Sequence, residues 1–259
     1  MKHKLKTETL RPMVLRITVA SMLVCVSAWS GVLAQLPAVP VPVENPITEA
    51  KRVLGKVLFW DEQLSSNNTM ACGTCHRPAA GGADPRVGRH TGTDKGTIDD
   101  VWGSPGVVLM NEAGEPLEHP IFGRDPQVTT RIAPSNFGAL WANELFWDGR
   151  ASSEFVDPLT GDVAIASGGA LENQALAPLI NPTEMARPNR AWDELTEKLK
   201  GVRPLALARN LPADVSNAIE SNPDYPSLFQ AAFYDPEITP VRIAFAIATY
   251  ERTLVADQT

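Results

Sequence analysis

Cys72, Cys75 and His76 lie close together in "TMACGTCHRPAAGG", Thr69 to Gly82. In an exported protein three chemistries use such spacing: a redox-active dithiol, a zinc knuckle, and covalent attachment of a c-type haem. A structural zinc site needs four ligands, usually including a second Cys or His pair. After the first 34 residues the other histidines are His90 and His119, each isolated in a loop-rich region. A thioredoxin-like dithiol should follow a strand within a βαβ unit, yet the segment upstream reads as a helix. Haem attachment accounts for every residue of the motif. Two thiols add to the two vinyl groups of one porphyrin, and the next residue, histidine, lies under the iron as its proximal ligand.

Periodicity supplies the scaffold. Asn45 as cap and Pro46 at the first position predict a helix over Ile47 to Trp60, with Ala50, Val53, Leu54, Val57 and Leu58 on one stripe. Arg77 to Gly138 holds ten of the 18 glycines and seven prolines, so it should be mostly loop. Helical pattern returns at "AWDELTEKLK" and "YPSLFQAAF", and again after Thr239 as cap and Pro240. That last helix is apolar on two sides and should be buried. No run alternates as a strand and no internal repeat is visible, which predicts a mainly α fold with long irregular connections.

The N-terminus has the layout of a secretory signal peptide: five basic residues, an apolar run from Ile17 to Trp29, then small residues ending at Ala34. Cleavage there would take Cys25 with it and leave residues 35–46 as a Pro-rich linker. The remainder carries 18 basic and 29 acidic side chains, a net charge of −11. Such a surface should repel nucleic acid and anionic lipid and favour a basic protein partner. Two cysteines remain, too few for a disulfide framework.

What a haem does depends on the group opposite His76, because an open or displaceable sixth position admits peroxide and two strong ligands favour electron transfer. The candidates are His90, Met70, Met110, Met185 and the polar pair Gln174 and Glu184. Met70 and Met110 read as packing residues; Met185 as a permanent ligand would make a monohaem electron carrier. On spacing alone Glu184 reads as a charge at a helix start and Gln174 as an exposed helix position.

"LGKVLFWDEQLSSNNTMACGTCH", "RIAPSNFGALWANELFWDGRA", "LENQALAPLINPTEMARP", "YPSLFQAAF" and "AFAIATYERTLV" occur in an order that resembles the first haem domain of bacterial di-haem cytochrome c peroxidases. The same modules resemble the related methylamine dehydrogenase maturation enzymes. The resemblance implies a cytochrome c-like haem domain over residues 47–255, periplasmic, holding one haem c through Cys72 and Cys75 with His76 on the iron. It implies that Glu184 is the distal acid–base residue and Gln174 its neighbour. Splitting an O–O bond needs a group that takes a proton from one oxygen and returns it to the other. His90, in "VGRH", is then either a displaceable sixth iron ligand or a solvated loop histidine. Asp148 and Arg150 of "FWDGR" hold a haem propionate or the loop itself.

Hydrogen peroxide is the substrate this likeness implies. Electrons would come from a second haem domain, in cis or in trans, or from a small donor cytochrome or cupredoxin, and a homodimer is a further expectation. Three departures qualify it. Thr91 to Gln127 forms a long insertion, with His119 expected to be exposed. Ile132 stands where the family has an asparagine of its calcium site, which leaves calcium in doubt; Asp94, Asp99 and Asp100 read instead as a solvated turn. Gln63 stands for a usual arginine, at the expected cost of one surface contact. Residues 256–259 read as the start of a linker to a second haem domain.

Overall fold

Helix α1, Glu49–Trp60, lies against the final helix, α7, Pro240–Glu251. The contact is backbone to backbone: a Cβ on Gly55 would fall 1.8 Å from the Ala246 carbonyl oxygen. The computed structural model describes residues 36–256, so the predicted signal peptide and residues 257–259 lie outside the described residues. From Val39 onward the chain forms one unit. Between α1 and α7 come a single turn, α2, Cys72–Cys75, then α3, Ala170–Ile180, α4, Trp192–Gly201, α5, Ala213–Ser221, and α6, Tyr225–Phe233. Helices α6 and α3 flank the central pair, α6 packing on α1 and α3 on α7. One continuous core includes Leu54, Leu58, Phe59, Leu179, Phe229 and Ile247.

The mainly α expectation holds, with two small additions. Strands β1, Gly88–His90, and β2, Val101–Gly103, pair antiparallel, as do β3, Phe155–Val156, and β4, Val163–Ile165. Two or three residues are too few for an alternating pattern to show in sequence. Thr239 caps α7 as predicted, its Oγ1 accepting from Arg242 N–H at 3.2 Å.

The cap of α1 differs. Thr48, not Asn45, takes that position, accepting from Lys51 N–H at 3.3 Å. Asn45 is fully buried, and its amide donates to Glu172 Oε1 at 2.9 Å and to the Phe245 carbonyl at 3.0 Å. Lys51 donates to Asn45 Oδ1, and Arg252 grips Glu172 with two bonds of 2.6 and 3.0 Å. This polar cluster ties residues just before α1 to α3 and α7, so the end of the Pro-rich segment belongs to the domain. Gln63 is also buried, donating to Asp61 and to the Arg203 carbonyl at 2.7 Å. Asp61 in turn accepts from Tyr225 Oη at 2.6 Å and Leu205 N–H at 2.7 Å, so the Gln63 position is interior, not a surface contact.

A candidate covalent haem site

Cys72 and Cys75 face the same way because they are one helical turn apart. Both are free, half-buried thiols. Burial pushes both up, Cys75 to about 11, partly opposed there by Arg86, which donates to its Sγ at 3.2 Å. Arg86 is held by Asp84 at 2.8 Å. His76 closes the turn, its backbone N–H donating to the Cys72 carbonyl at 3.0 Å. Its ring is 6.5 Å from that of Phe59, near the end of α1.

The orientation of His76 bears on what it can bind. Nδ1 is 3.0 Å from the Gly82 carbonyl oxygen, which can only accept, so Nδ1 carries the proton and Nε2 keeps its lone pair. A carbonyl fixing the tautomer this way is the usual outer support of a metal-bound imidazole. Burial lowers the pKa of His76 and favours the neutral ring, with the Gly82 and Pro134 carbonyls opposing. Among the described residues no three His, Cys, Asp or Glu side chains converge on a point that could hold a bare ion. Two adjacent thiols and one imidazole with a free lone pair fit a c-type haem, whose porphyrin supplies four iron ligands itself.

Glu184 lies in a turn, not at a helix start. Asn181 organises it: Oδ1 accepts from the Thr183 and Glu184 N–H groups, and Nδ2 donates to Glu184 Oε1 at 2.8 Å. The segment from 91 to 127 braces this turn. Val107 N–H donates to the Thr183 carbonyl at 3.1 Å, Gln127 Nε2 to the Pro182 carbonyl at 2.9 Å, and Gly106 lies against the Thr183 backbone. Burial raises the pKa of Glu184, and the Arg150 charge opposes this. The charge of the same carboxylate contributes, behind burial, to raising the pKa of both Cys72 and Cys75.

Gln174 lies mid-way along α3, half-buried, its side-chain amide without a hydrogen bond to the described residues; Asn181 follows it by two helical turns. Arg150 is exposed, bonded to Asp148 at 2.8 Å, with its guanidinium 3.7 Å from the Phe146 ring centroid. Met70, Met110 and Met185 are all core residues. His90 stands on β1, where its Nδ1 accepts from Gly92 N–H at 3.1 Å and its ring meets Phe122 edge-on. The His119 ring lies tilted against the same Phe122 at 4.7 Å and is half-buried, against the expectation of exposure. Among the described residues no hydrogen bond, ion pair or ring contact links His90 to the thiols, His76 or Glu184. Asp99 and Asp100 cap the 93–100 turn, accepting from Thr93 and Gly96 N–H.

Sequence reasoning missed the supports: Asn181, Arg86, Asn136 and Glu251. Asn136 N–H donates to the Gly82 carbonyl at 3.2 Å, the oxygen that orients His76. Only Asn181 had a visible signal, three residues before Glu184 in "NPTE".

The model of the di-haem cytochrome c peroxidase family matches residues 49–259. The chain is 27% identical over 250 residues to the methylamine utilization protein MauG of Methylophilus methylotrophus, covering 93% of this chain and 52% of that protein. It is 28% identical over 219 residues to the cytochrome c peroxidase Ccp of Escherichia coli, covering 85% of this chain and 32% of the relative. It is 27% identical over 213 residues to the cytochrome c551 peroxidase of Pseudomonas aeruginosa, covering 82% and 41%. The chain thus spans about half or less of the length of these relatives. The thiol pair, the oriented imidazole and the Glu184 carboxylate stand within the matched segment, and the chain belongs to the di-haem cytochrome c peroxidase family.

Proposed function

We propose that this chain is the peroxide-reducing haem domain of a periplasmic c-type peroxidase, turning hydrogen peroxide into water with electrons from a second haem or a small redox protein. The observation that carries the reading is Glu184: a half-buried carboxyl, fixed on its turn by Asn181, whose charge acts on the haem-attachment thiols. Cys72 and Cys75 would hold the porphyrin as thioethers and His76 Nε2 would ligate the iron. The haem, when bound, supplies the redox chemistry and the position at which peroxide binds.

The protein's own contribution is proton handling. Asn181 Nδ2 occupies Glu184 Oε1, which leaves Oε2 to take a proton from one peroxide oxygen and return it to the leaving one. Burial raises the carboxyl's proton affinity toward the range where it can both accept and donate, the general route by which carboxyl groups become acid–base catalysts. Gln174 would hydrogen-bond the bound peroxide, its amide having no partner among the described residues. Arg150, whose charge acts on Glu184, would hold the carboxylate form in reserve or contact a propionate.

Relatives named MauG match alongside the peroxidases, which favours one second reading, a maturation-type oxidase acting on a protein. A monohaem electron carrier is the contrasting class. The test is expression of the full chain with haem-attachment machinery. The peroxidase reading expects a covalent haem whose spectrum changes on adding peroxide; a haem that stays six-coordinate and low-spin in both oxidation states and does not react with peroxide would make it a carrier.

A further inference from the structure

Glu251 ends α7 with its side chain buried, 4% exposed. It has one partner, Asn136 Nδ2, which donates to Oε1 at 3.3 Å. Among the described residues Oε2 has none, and neither does Asn136 Oδ1, although both atoms are sealed from solvent. Two buried acceptors without a donor are an expensive arrangement. A proton on Oε2 relieves it, because the acid form adds the donor the pair lacks.

The pair's location gives that proton a use. Asn136 N–H and His76 Nδ1–H meet on one oxygen, the Gly82 carbonyl, so the Asn136–Glu251 unit is attached to the support of the proximal imidazole. On its other side the Glu251 charge acts on Cys72 of α2. The remaining groups around it are Arg252 on its own helix, which favours the ionised form, and Glu172 of α3, which opposes it. Tyr250 Oη, bonded to Trp60 of α1, is neutral. Burial outweighs the rest and lifts the carboxyl to about 7.

We propose that Glu251 is a proton-accepting group coupled to the haem on its proximal side, so that one electron reaching the iron is matched by one proton reaching Glu251 Oε2. The balance is simple. A one-electron donor, such as a reduced c-type cytochrome, takes iron from ferric to ferrous, and a solvent proton converts the carboxylate to the acid. The buried charge is thereby unchanged. A carboxylate beside a ferric site is stabilised by the positive charge, and loss of that charge raises its proton affinity. This inference rests on the haem reading of Cys72, Cys75 and His76, not on peroxidase activity.

The experiment is spectroelectrochemical titration of the haem-loaded full chain from about pH 5.5 to 8.5, with haem content read separately by pyridine haemochrome. In the wild type the midpoint potential should fall as pH rises through neutrality. Glu251→Gln should lose that slope and hold the potential of the wild type's acid limit. Asn136→Ala, which removes both the donor on Oε1 and the acceptor facing a protonated Oε2, should keep the slope and shift its pH window. A wild-type potential independent of pH, or a slope unchanged in Glu251→Gln, overturns the proposal. Should Glu251→Gln fail to accumulate, an unmoved window in Asn136→Ala overturns it equally. Absence of covalent haem in the wild type would remove the haem reading and this inference with it.

Discussion

Replacing Gly106 by alanine should damage the site from outside it. The added Cβ would lie 1.8 Å from the Thr183 carbonyl oxygen and 3.1 Å from Glu184 Cα, where ordinary contact begins at 3.4 Å. The two backbones must therefore part by about 1.6 Å. Neither has a flexible side chain to move instead. The shift breaks the 3.1 Å bond from Val107 N–H to the same carbonyl. Loss of that bond and the overpacking together cost about 2–4 kcal/mol. Displacing Glu184 by an ångström or more should also slow peroxide turnover by about 100-fold. Guanidinium denaturation and peroxide consumption at equal haem loading measure the two effects. Gly201→Ala, at the end of α4 with nothing among the described residues within 4 Å, is the control; it should leave turnover unchanged and should not lower stability. Wild-type turnover and stability in Gly106→Ala would refute the idea that the backbone around Gly106 sets the Glu184 turn.

Thr48→Ala should cost about 1 kcal/mol, the usual worth of an N-cap. Asn45→Ala should cost more, about 1–3 kcal/mol, because Glu172 and Lys51 then lose a buried partner; no loss in the thermal unfolding of Thr48→Ala would contradict the assignment of Thr48 as cap. Arg252→Met should destabilise by about 3–5 kcal/mol by leaving Glu172 charged and buried, whereas the double variant with Glu172→Leu should recover much of it. Denaturant titration of both settles the point, and a double variant no better than the single would sink it. Glu251 also makes stability pH-dependent. Its folded value of about 7 lies above the unfolded value of about 4.3, so its contribution is full below the latter and is lost as pH rises through the former. Unfolding free energies at acid and alkaline pH should therefore converge in Glu251→Gln relative to the wild type.

The helices with a clear apolar pattern were legible in sequence: α1, α4 and α6 fall within two residues of their predicted limits, and α7 starts at the predicted cap. Helix α3 was harder to see, because alanine and leucine surround its axis, Pro178 interrupts it and the charge it carries, Glu172, is buried. Helix α5 buries only Val215 and Ile219, too few for a stripe. Asn45 misled because an asparagine before a proline resembles a cap, and only the fold brings Glu172 and Phe245 to it. The haem motif was legible because its chemistry is local. The support of that motif was not, since Asn136 and Glu251 act across 115 residues of sequence. The same holds for the brace on Glu184, which residues 106, 107 and 127 supply.

The most direct measurement is stopped-flow absorbance of the haem-loaded chain mixed with hydrogen peroxide, wild type against Glu184→Gln. The glutamine keeps the shape and can still meet Asn181, but cannot carry a proton between the peroxide oxygens. The account predicts a rapid peroxide-driven spectral change in the wild type and a loss of about 100-fold or more in the variant at unchanged haem content. Equal rates in the two proteins would contradict it.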